Sequence, residues 1–540
     1  MQQTLHRYKY SSFKHMSYIE KINNKMDDTK IYIPIIFLIW LASKILFKAI
    51  FTKHGSKFPL PPSPMALPIV GHLHLLKPPV HKAFQKISNR YGPLIHVYLG
   101  SSRIVVVSSA EIAKEIFKTH ELYFSNRPTS VAVNYLTYNS SDVAFSPYGT
   151  YWKIMKKLCT SELFNGRMLD LLLPIRQEEI NRFMKMMQKK AEAHEVVNVG
   201  DELFKLTNNI VMRMAISKST FITNDEALKV KESVKESFRL SGMFNSTDHF
   251  WFCKRLDLQG IKKRLKEVRD SFDIMIESFI QEHEEARKKL TKEDAAKDVL
   301  DVLLSISEDQ SSELKITRDN IKAFFVDMLG GANNITNTLE WSLAELINHP
   351  TIMKKAREEI DFVIGKDKIV EESNIANLPY LQAIVKETLR LHPPTPFVLR
   401  ESTENCIIAG YNIPAKTPVL TNVWAICRDP KHWDNPLEFR PERFQSKGES
   451  GKKSQAEVKG QHYQLLPFGS GRRGCPGTSL SLNVIHTTLA TMIQCFEWIS
   501  KEDGGNGGSI DMQEGPSLNL SRAQPLICVL KERLVPFPSM

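Results

Sequence analysis

Cysteine is scarce and scattered. The 540-residue chain holds seven, an odd number, and no two are spaced Cys-x-x-Cys. That excludes a disulfide scaffold and a zinc ribbon, and it reads as reduced thiols in a body facing the cytosol. Internal repeats and long Gly/Ser linkers are also missing. Length alone suggests about three or four domains at ~150 residues each, but nothing in the chain marks the joints. Basic residues outnumber acidic ones, 72 to 60, giving a net charge of +12. These residues are scattered and not interleaved with aromatics, which argues against nucleic acid. An acidic membrane surface or an acidic protein partner remains. With 42% hydrophobic residues there is ample material for one large core.

Only one apolar run reaches membrane length, Ile31 to Phe51. At ~1.5 Å per residue it spans roughly 30 Å, which suits a transmembrane anchor. Lys44 and Lys48 fall in its second half. Each costs ~2.5–3.5 kcal/mol near a bilayer centre, so both must snorkel from one face. An amphipathic helix lying on the surface is the alternative. Lys53, His54 and Lys57 follow the run and Asp27 and Asp28 precede it. The positive-inside rule then leaves the rest of the chain in the cytosol. No small-residue cleavage pattern follows, so a signal peptide is disfavoured. Residues 1–30 read as a disordered leader, with Met16 and Met26 as alternative starts. Residues 52–70, with Pro59, Pro61, Pro62, Pro64 and Pro68, read as a stiff extended hinge. The globular body is then 71–540. Leu94–Leu99 and Ile104–Ser108 predict short strands around Gly100. The pattern from Glu111 to about residue 400 is mostly helical. From Glu401 it turns to short strands, proline-rich loops and one more helix after Cys475. The predicted class is α+β, mainly helical.

Cys475 lies in Pro467-Phe468-Gly469-Ser470-Gly471-Arg472-Arg473-Gly474-Cys475-Pro476-Gly477. Glycines on both sides allow a tight turn close to a flat ligand. Backbone N–H groups there can stabilise a thiolate, and Arg473, two residues before Cys475, adds a positive charge suited to an acidic group. A thiolate on haem iron pushes electron density toward bound oxygen and favours O–O cleavage. Alone, such a cysteine is more often inert and buried. The same segment contains a decoy, Gly469-Ser-Gly471-Arg-Arg-Gly474, which fits the dinucleotide pattern GxGxxG. That pattern needs an acid about 20 residues on, and position 494 is Gln. A nicotinamide dehydrogenase is therefore disfavoured; it would bind pyridine nucleotide directly.

Phe468, Gly471, Arg473, Cys475 and Gly477 resemble the cytochrome P450 haem signature at every fixed position. Glu387-Thr-Leu-Arg390 is similar to that family's ExxR element and Pro441-Glu-Arg443-Phe444 to its PERF element. Glu387 and Arg390 share one helix face at i,i+3 and can hold Arg443 in a buried network. The resemblance covers residues 31–540 and implies the P450 fold, haem b (iron protoporphyrin IX) and Cys475 as the iron ligand. It also implies that Trp152, Lys156, Arg400 and Arg473 serve the haem propionates. Electrons would come from NADPH through the NADPH-cytochrome P450 reductase, with cytochrome b5 as a further partner. The location implied is the endoplasmic reticulum membrane, single-pass.

Departures matter as much. The helix over the haem should carry A/G-G-x-D/E-T-T/S, but this chain reads Gly330-Gly331-Ala332-Asn333-Asn334-Ile335-Thr336. Asn333 replaces the acid and Asn334 the alcohol of the catalytic pair. An amide can order water but does not titrate near neutral pH, and general acid catalysis is commonly worth ~10²–10⁴. Thr336 and Thr338 carry hydroxyls, yet neither is at the relay position. Three readings stay open: a monooxygenase using ordered water and the amides, a rearranging or dehydrating haem-thiolate enzyme that needs no relay, and a weakly active copy. In the hinge, Ala66 stands where the family usually has Gly. The sequons at Asn139, Asn245, Asn334 and Asn519 fall on the cytosolic side and read as chance.

Glu340-Trp341 to Pro350, Gly474–Gly477 and Asp511–Gly515 resemble the plant P450 group that modifies flavonoids and isoflavonoids: flavone synthase II, isoflavone synthase and dihydroxypterocarpan 6a-hydroxylase relatives. This implies hydroxylation or desaturation of a small apolar phenolic substrate. By family position the pocket would use Val133–Ala144, Ala323–Gly331, Thr395–Leu399 and the loop near Leu518, with Gly330, Gly331, Phe397 and Val398 foremost.

Overall fold

The computed structural model describes residues 32, 34–43, 58–217, 224–250, 253, 257–289, 298–309, 315–445, 457–501 and 509–538. The chain separates into two units, Met1–Pro59 and Leu60–Met540. In the first, residues 34–43 are helical, and Ile36, Leu38 and Ile39 are exposed. Apart from Tyr32, the remainder of the expected 31–51 anchor lies outside the described residues, as does the whole 1–30 leader. Among the described residues no helix is long and apolar enough to cross a membrane.

The second unit begins with a proline strap. Residues 60–66 form neither helix nor strand, because proline offers a carbonyl but no N–H. The strap's carbonyls are used: His96 N donates to Pro62 O at 3.0 Å, and the His96 ring lies 2.6 Å from Pro61 O. Helix α1 (Val80–Tyr91) buries Ala83, Phe84 and Ile87 at helical spacing. Strands β1 (Leu94–Leu99) and β2 (Ser102–Val107) pair antiparallel around Gly100. Gly100 has φ +58°, and a Cβ there would lie 2.7 Å from His249 O, so the turn needs glycine.

The helical middle follows: α2 (Thr150–Leu158), α3 (Leu173–Glu192), a three-residue strand β3 (Val196–Asn198), α4 (Val199–Ile216), α5 (Asn224–Gly242) and α6 (Ile261–Lys289). Helix α7 (Arg318–Asn348) runs through the core. Thr317 caps it in a reciprocal box with Asn320. It packs on α4, where Thr207 and Thr336 hydroxyls meet at 2.7 Å. Pro350 ends its run and starts α8 (Pro350–Ile364), and α9 (Pro379–Leu391) carries Glu387 and Arg390.

The last third returns to strands: β4 (Phe397–Glu401), β5 (Cys406–Ile408), β6 (Tyr411–Ile413) and β7 (Pro418–Asn422). Helix α10 (Thr478–Cys495) then leads to β8 (Phe496–Ser500) and β9 (Ile527–Glu532). The main sheet has the order β1-β2-β7-β4, with β2 and β7 parallel. A second sheet runs β3-β9-β8, and β5 pairs with β6. Helices thus fill the middle and small sheets lie toward both ends, the mainly helical α+β class expected. Helices α7, α9 and α10 share one apolar core through Leu339, Leu343, Leu389, Val484 and Leu489.

Candidate functional site

The loop before α10 is shaped by short hydrogen bonds. Cys475 N donates to Phe468 O at 2.9 Å and Gly474 N to Gly471 O at 2.9 Å. Gly471 has φ +67°, and a Cβ there would collide with the Glu121 carboxylate. Cys475 is exposed, and it lines a cavity of about 440 Å³. Its removal from bulk water at the wall of that cavity pushes its thiol pKa up, while the Gly477 N–H and nearby Lys156 and Thr478 pull it down. The N-terminus of α10 begins just beyond, at Thr478, an end that favours negative charge.

Three arginines gather on one side. Arg127 and Arg473 line the cavity, and Arg400 shares a small pocket with Arg473. Burial lowers all three, Arg127 to about 10, Arg473 to about 9 and Arg400 well below its usual value, with mutual repulsion adding to the effect at Arg400 and Arg473. Their hydrogen bonds go mainly to neutral carbonyls. Arg473 donates to Ser125 O at 2.8 Å and Ser146 O at 2.6 Å. Arg400 donates to Ser470 O at 3.3 Å, and Arg127 to Ala144 O at 3.1 Å. The nearby carboxylates, Asp142, Asp327 and Glu121, act on these cations without a direct hydrogen bond to any of them. A buried positive cluster of this kind calls for anionic groups. The two propionates of haem meet that demand, and Cys475 offers the sulfur ligand. The donor set therefore fits haem.

Trp152 and Lys156 come from α2. The Trp152 N–H is committed to Val143 O at 3.1 Å, and its ring lies 4.2 Å from the Arg473 guanidinium, which it orients. Lys156 donates to Gly474 O, next to Cys475, and burial lowers its pKa. Two further N–H groups of its ammonium are left for other acceptors.

Helix α7 forms the opposite wall. Gly330, Gly331 and Asn334 line the cavity. A Cβ on Gly331 would meet nothing within 4 Å, so the groove beside it is open. The amide pair is split: Asn333 is buried and is not among the lining residues, whereas Asn334 lines the cavity and its Oδ1 has no hydrogen-bond partner. Thr336 turns to Thr207, and Thr338 donates to Asn334 O at 2.9 Å, so neither hydroxyl replaces a relay alcohol on the cavity wall. Phe397 and Val398 line the cavity from β4, and Phe397 packs edge-on to Phe84 at 5.9 Å.

The expected network is assembled away from the cavity. Arg390 donates to Glu387 at 2.7 and 2.8 Å, and Arg443 Nε reaches the same carboxylate at 2.9 Å. Sequence reasoning does not single out Arg127, Asp142 or Asp327. The two acids lie inside the candidate stretches, but no motif marks them. Ser237 and Phe238 of α5 also line the cavity, and the helical period was the only sign of them.

Residues 61–522 match the family described as Cytochrome P450. The chain belongs to that family. It is 53% identical over 511 residues to "Cytochrome P450 93A3" of Glycine max, covering 93% of this chain and 99% of that one. It is 51% identical over 512 residues to "3,9-dihydroxypterocarpan 6A-monooxygenase" of Glycine max, covering 94% and 99%. A solved structure, "Zebra fish cytochrome P450 another structure with Progesterone", matches with a TM-score of 0.70 at 26% identity, covering 85% of this chain and 100% of that one. This P450 is accordingly a monooxygenase with haem iron as its cofactor, and NADPH serves it through a reductase, as is standard for the family.

Proposed function

We propose that this P450 hydroxylates or desaturates a flat, apolar phenolic compound of the flavonoid or isoflavonoid class. One observation carries the reading: a single cavity has Cys475 on one side, the small-residue groove of α7 on the other, and a largely apolar lining that includes Phe145, Phe324, Phe397 and Val398. That lining suits a polycyclic substrate. The similarity to a dihydroxypterocarpan monooxygenase supports the same class.

In this reading Cys475 is the iron ligand, held by the Phe468–Gly477 turn, and Arg400 and Arg473 bind propionates with Trp152 and Lys156 in support. Bound haem supplies the oxygen activation. Gly330 and Gly331 leave room beside it, Phe397 and Val398 orient the substrate, and Asn334 orders water. Asn333 is buried behind that wall and serves the packing of α7 without taking part in the oxidation. NADPH-cytochrome P450 reductase delivers electrons to the basic body, with cytochrome b5 as a second donor. Residues 31–51 anchor the chain in the endoplasmic reticulum membrane, residues 52–70 serve as the hinge, and the catalytic body faces the cytosol.

The test is co-expression with a plant reductase and NADPH on a panel of flavanones, isoflavonoids and pterocarpans, reading oxygenated product and hydrogen peroxide together. Product with little peroxide supports the reading. Peroxide without product, rescued by Asn333→Asp/Asn334→Thr, would sink it in favour of a relay-deficient protein.

A further inference from the structure

Asp142, which is buried, and Asp327, which is partly buried, are acids to which no part has been given in the oxidation. Asp327 lies on α7, one turn before Gly331, and lines the cavity. Its Oδ2 accepts Val143 N at 2.8 Å and Ala144 N at 3.2 Å, which ties that wall segment to α7. Asp142 is fully buried, and its Oδ2 accepts Phe145 N at 3.2 Å. Its other oxygen, Oδ1, is buried with no donor. The two carboxyl groups are near enough to act on each other. Two neighbouring carboxylates, one of them fully buried, cannot both ionise without a large penalty. A proton on Asp142, donated to Asp327, satisfies both groups.

The surroundings agree. Burial raises Asp142 well above the usual range, with Asp327 adding to the shift, and burial raises Asp327 to about 6. Arg127 faces both acids and Arg473 faces Asp142. Tyr151 and Cys159 also feel Asp327, but burial raises both, so they are neutral near pH 7. Cys475 feels Asp327 as well. One negative charge on the pair is then matched by Arg127.

We propose that Asp142 and Asp327 share one proton as a latch on the cavity wall, so that freeing Val143 and Ala144 from α7 releases that proton to solvent. The closed wall binds one more proton than the open wall. Because the acids hold protons more tightly when closed, low pH favours closure and rising pH favours opening. One released proton makes the opening constant rise about tenfold per pH unit above about pH 6, where Asp327 is ionised, for as long as Asp142 keeps its proton in the closed wall. A cavity that must admit a bulky substrate gains a proton-linked entrance.

Amide hydrogen exchange on the haem-loaded full chain reads the latch directly at Val143 and Ala144, with no substrate and no turnover, so its outcome is separate from the substrate reading above. After correction for intrinsic exchange, protection at these two amides should fall about tenfold per pH unit in the natural protein, while amides of α9 stay level. In Asp142→Asn the amide still donates to Asp327 and has no proton to lose, so protection should persist without the pH slope. Infrared spectra should show a protonated-carboxyl band at neutral pH that Asp142→Asn removes. A flat profile in the natural protein, an unchanged slope in Asp142→Asn, or no such band each overturns the latch. Should the variant fail to fold, the slope in the natural protein decides alone.

Discussion

Glu387 and Arg390 are one helical turn apart on α9, both fully buried, and joined by two parallel hydrogen bonds of 2.7 and 2.8 Å. Every N–H of Arg390 is used, since the remaining ones reach Cys427 O, Pro436 O and Glu438 O. The pair thus fixes the 427–438 loop as well as the helix, and Arg443 closes the network on Glu387. Glu387→Ala strands two buried guanidinium groups and should cost ~3–5 kcal/mol. Thermal unfolding and the yield of haem-loaded protein measure it. A loss below ~1 kcal/mol would show that the network does not hold the loop.

Arg473 lies over the Trp152 ring at 4.2 Å, and both residues line the cavity. If it binds a haem carboxylate, Arg473→Ala removes a charge-assisted hydrogen bond worth ~1.5–3 kcal/mol. Haem loss to an apo-globin acceptor should then quicken roughly 10- to 100-fold. Arg473→Lys keeps the charge but loses the fork, and should fall between the two. Unchanged haem loss in both variants would remove Arg473 from the propionate set.

The cysteine loop and the Glu387–Arg390–Arg443 network were legible in the sequence because their geometry is local. Glycines at 469, 471 and 474 announce a tight turn, and an i,i+3 acid–base pair announces one helix face. The Asp327 clamp was not legible. Its partners Val143 and Ala144 are about 180 residues away, they contribute backbone N–H groups, and an aspartate on a helix reads as a solvated charge. Strand β3 was missed for a related reason. Its three residues become a strand because β9 pairs with them at Val529, Cys528 and Ile527. The split of Asn333 from Asn334 depends on how α7 is rotated, which spacing does not fix.

Glu514 offers a pH prediction remote from the haem site. Burial alone would raise its pKa, but hydrogen bonds from His81 and Lys82 prevail and hold it down to about 2. Trp424 Nε1 donates to it as well, at 2.7 Å. A carboxylate with a depressed folded pKa stabilises above its unfolded value, and that stability is lost as pH falls toward the folded value. The loss should therefore run between about pH 4.5 and 2, on the order of 3 kcal/mol before screening at the half-exposed Lys82. Glu514→Gln should be less stable at pH 7 and should lack this part of the acid transition. Acid unfolding followed by near-ultraviolet circular dichroism tests both statements, and parallel acid curves would refute them.

Asn333 and Asn334 should behave differently although they are neighbours. Only Asn334 presents its side chain to the cavity, and its Oδ1 has no partner from the chain, so it is free to bind water or substrate there. An amide that orders one water is worth ~1–1.5 kcal/mol, about tenfold in rate. Asn334→Ala should therefore raise hydrogen peroxide per NADPH consumed about tenfold, with folding unchanged. Asn333→Ala removes a buried polar group that does not touch the cavity. It should change stability by ~1 kcal/mol and leave the peroxide ratio within about twofold. The two ratios are measured under the same NADPH supply, with haem content checked first. Equal uncoupling in both variants would mean that α7 acts through its packing, and the role of Asn334 in ordering water would have to be given up.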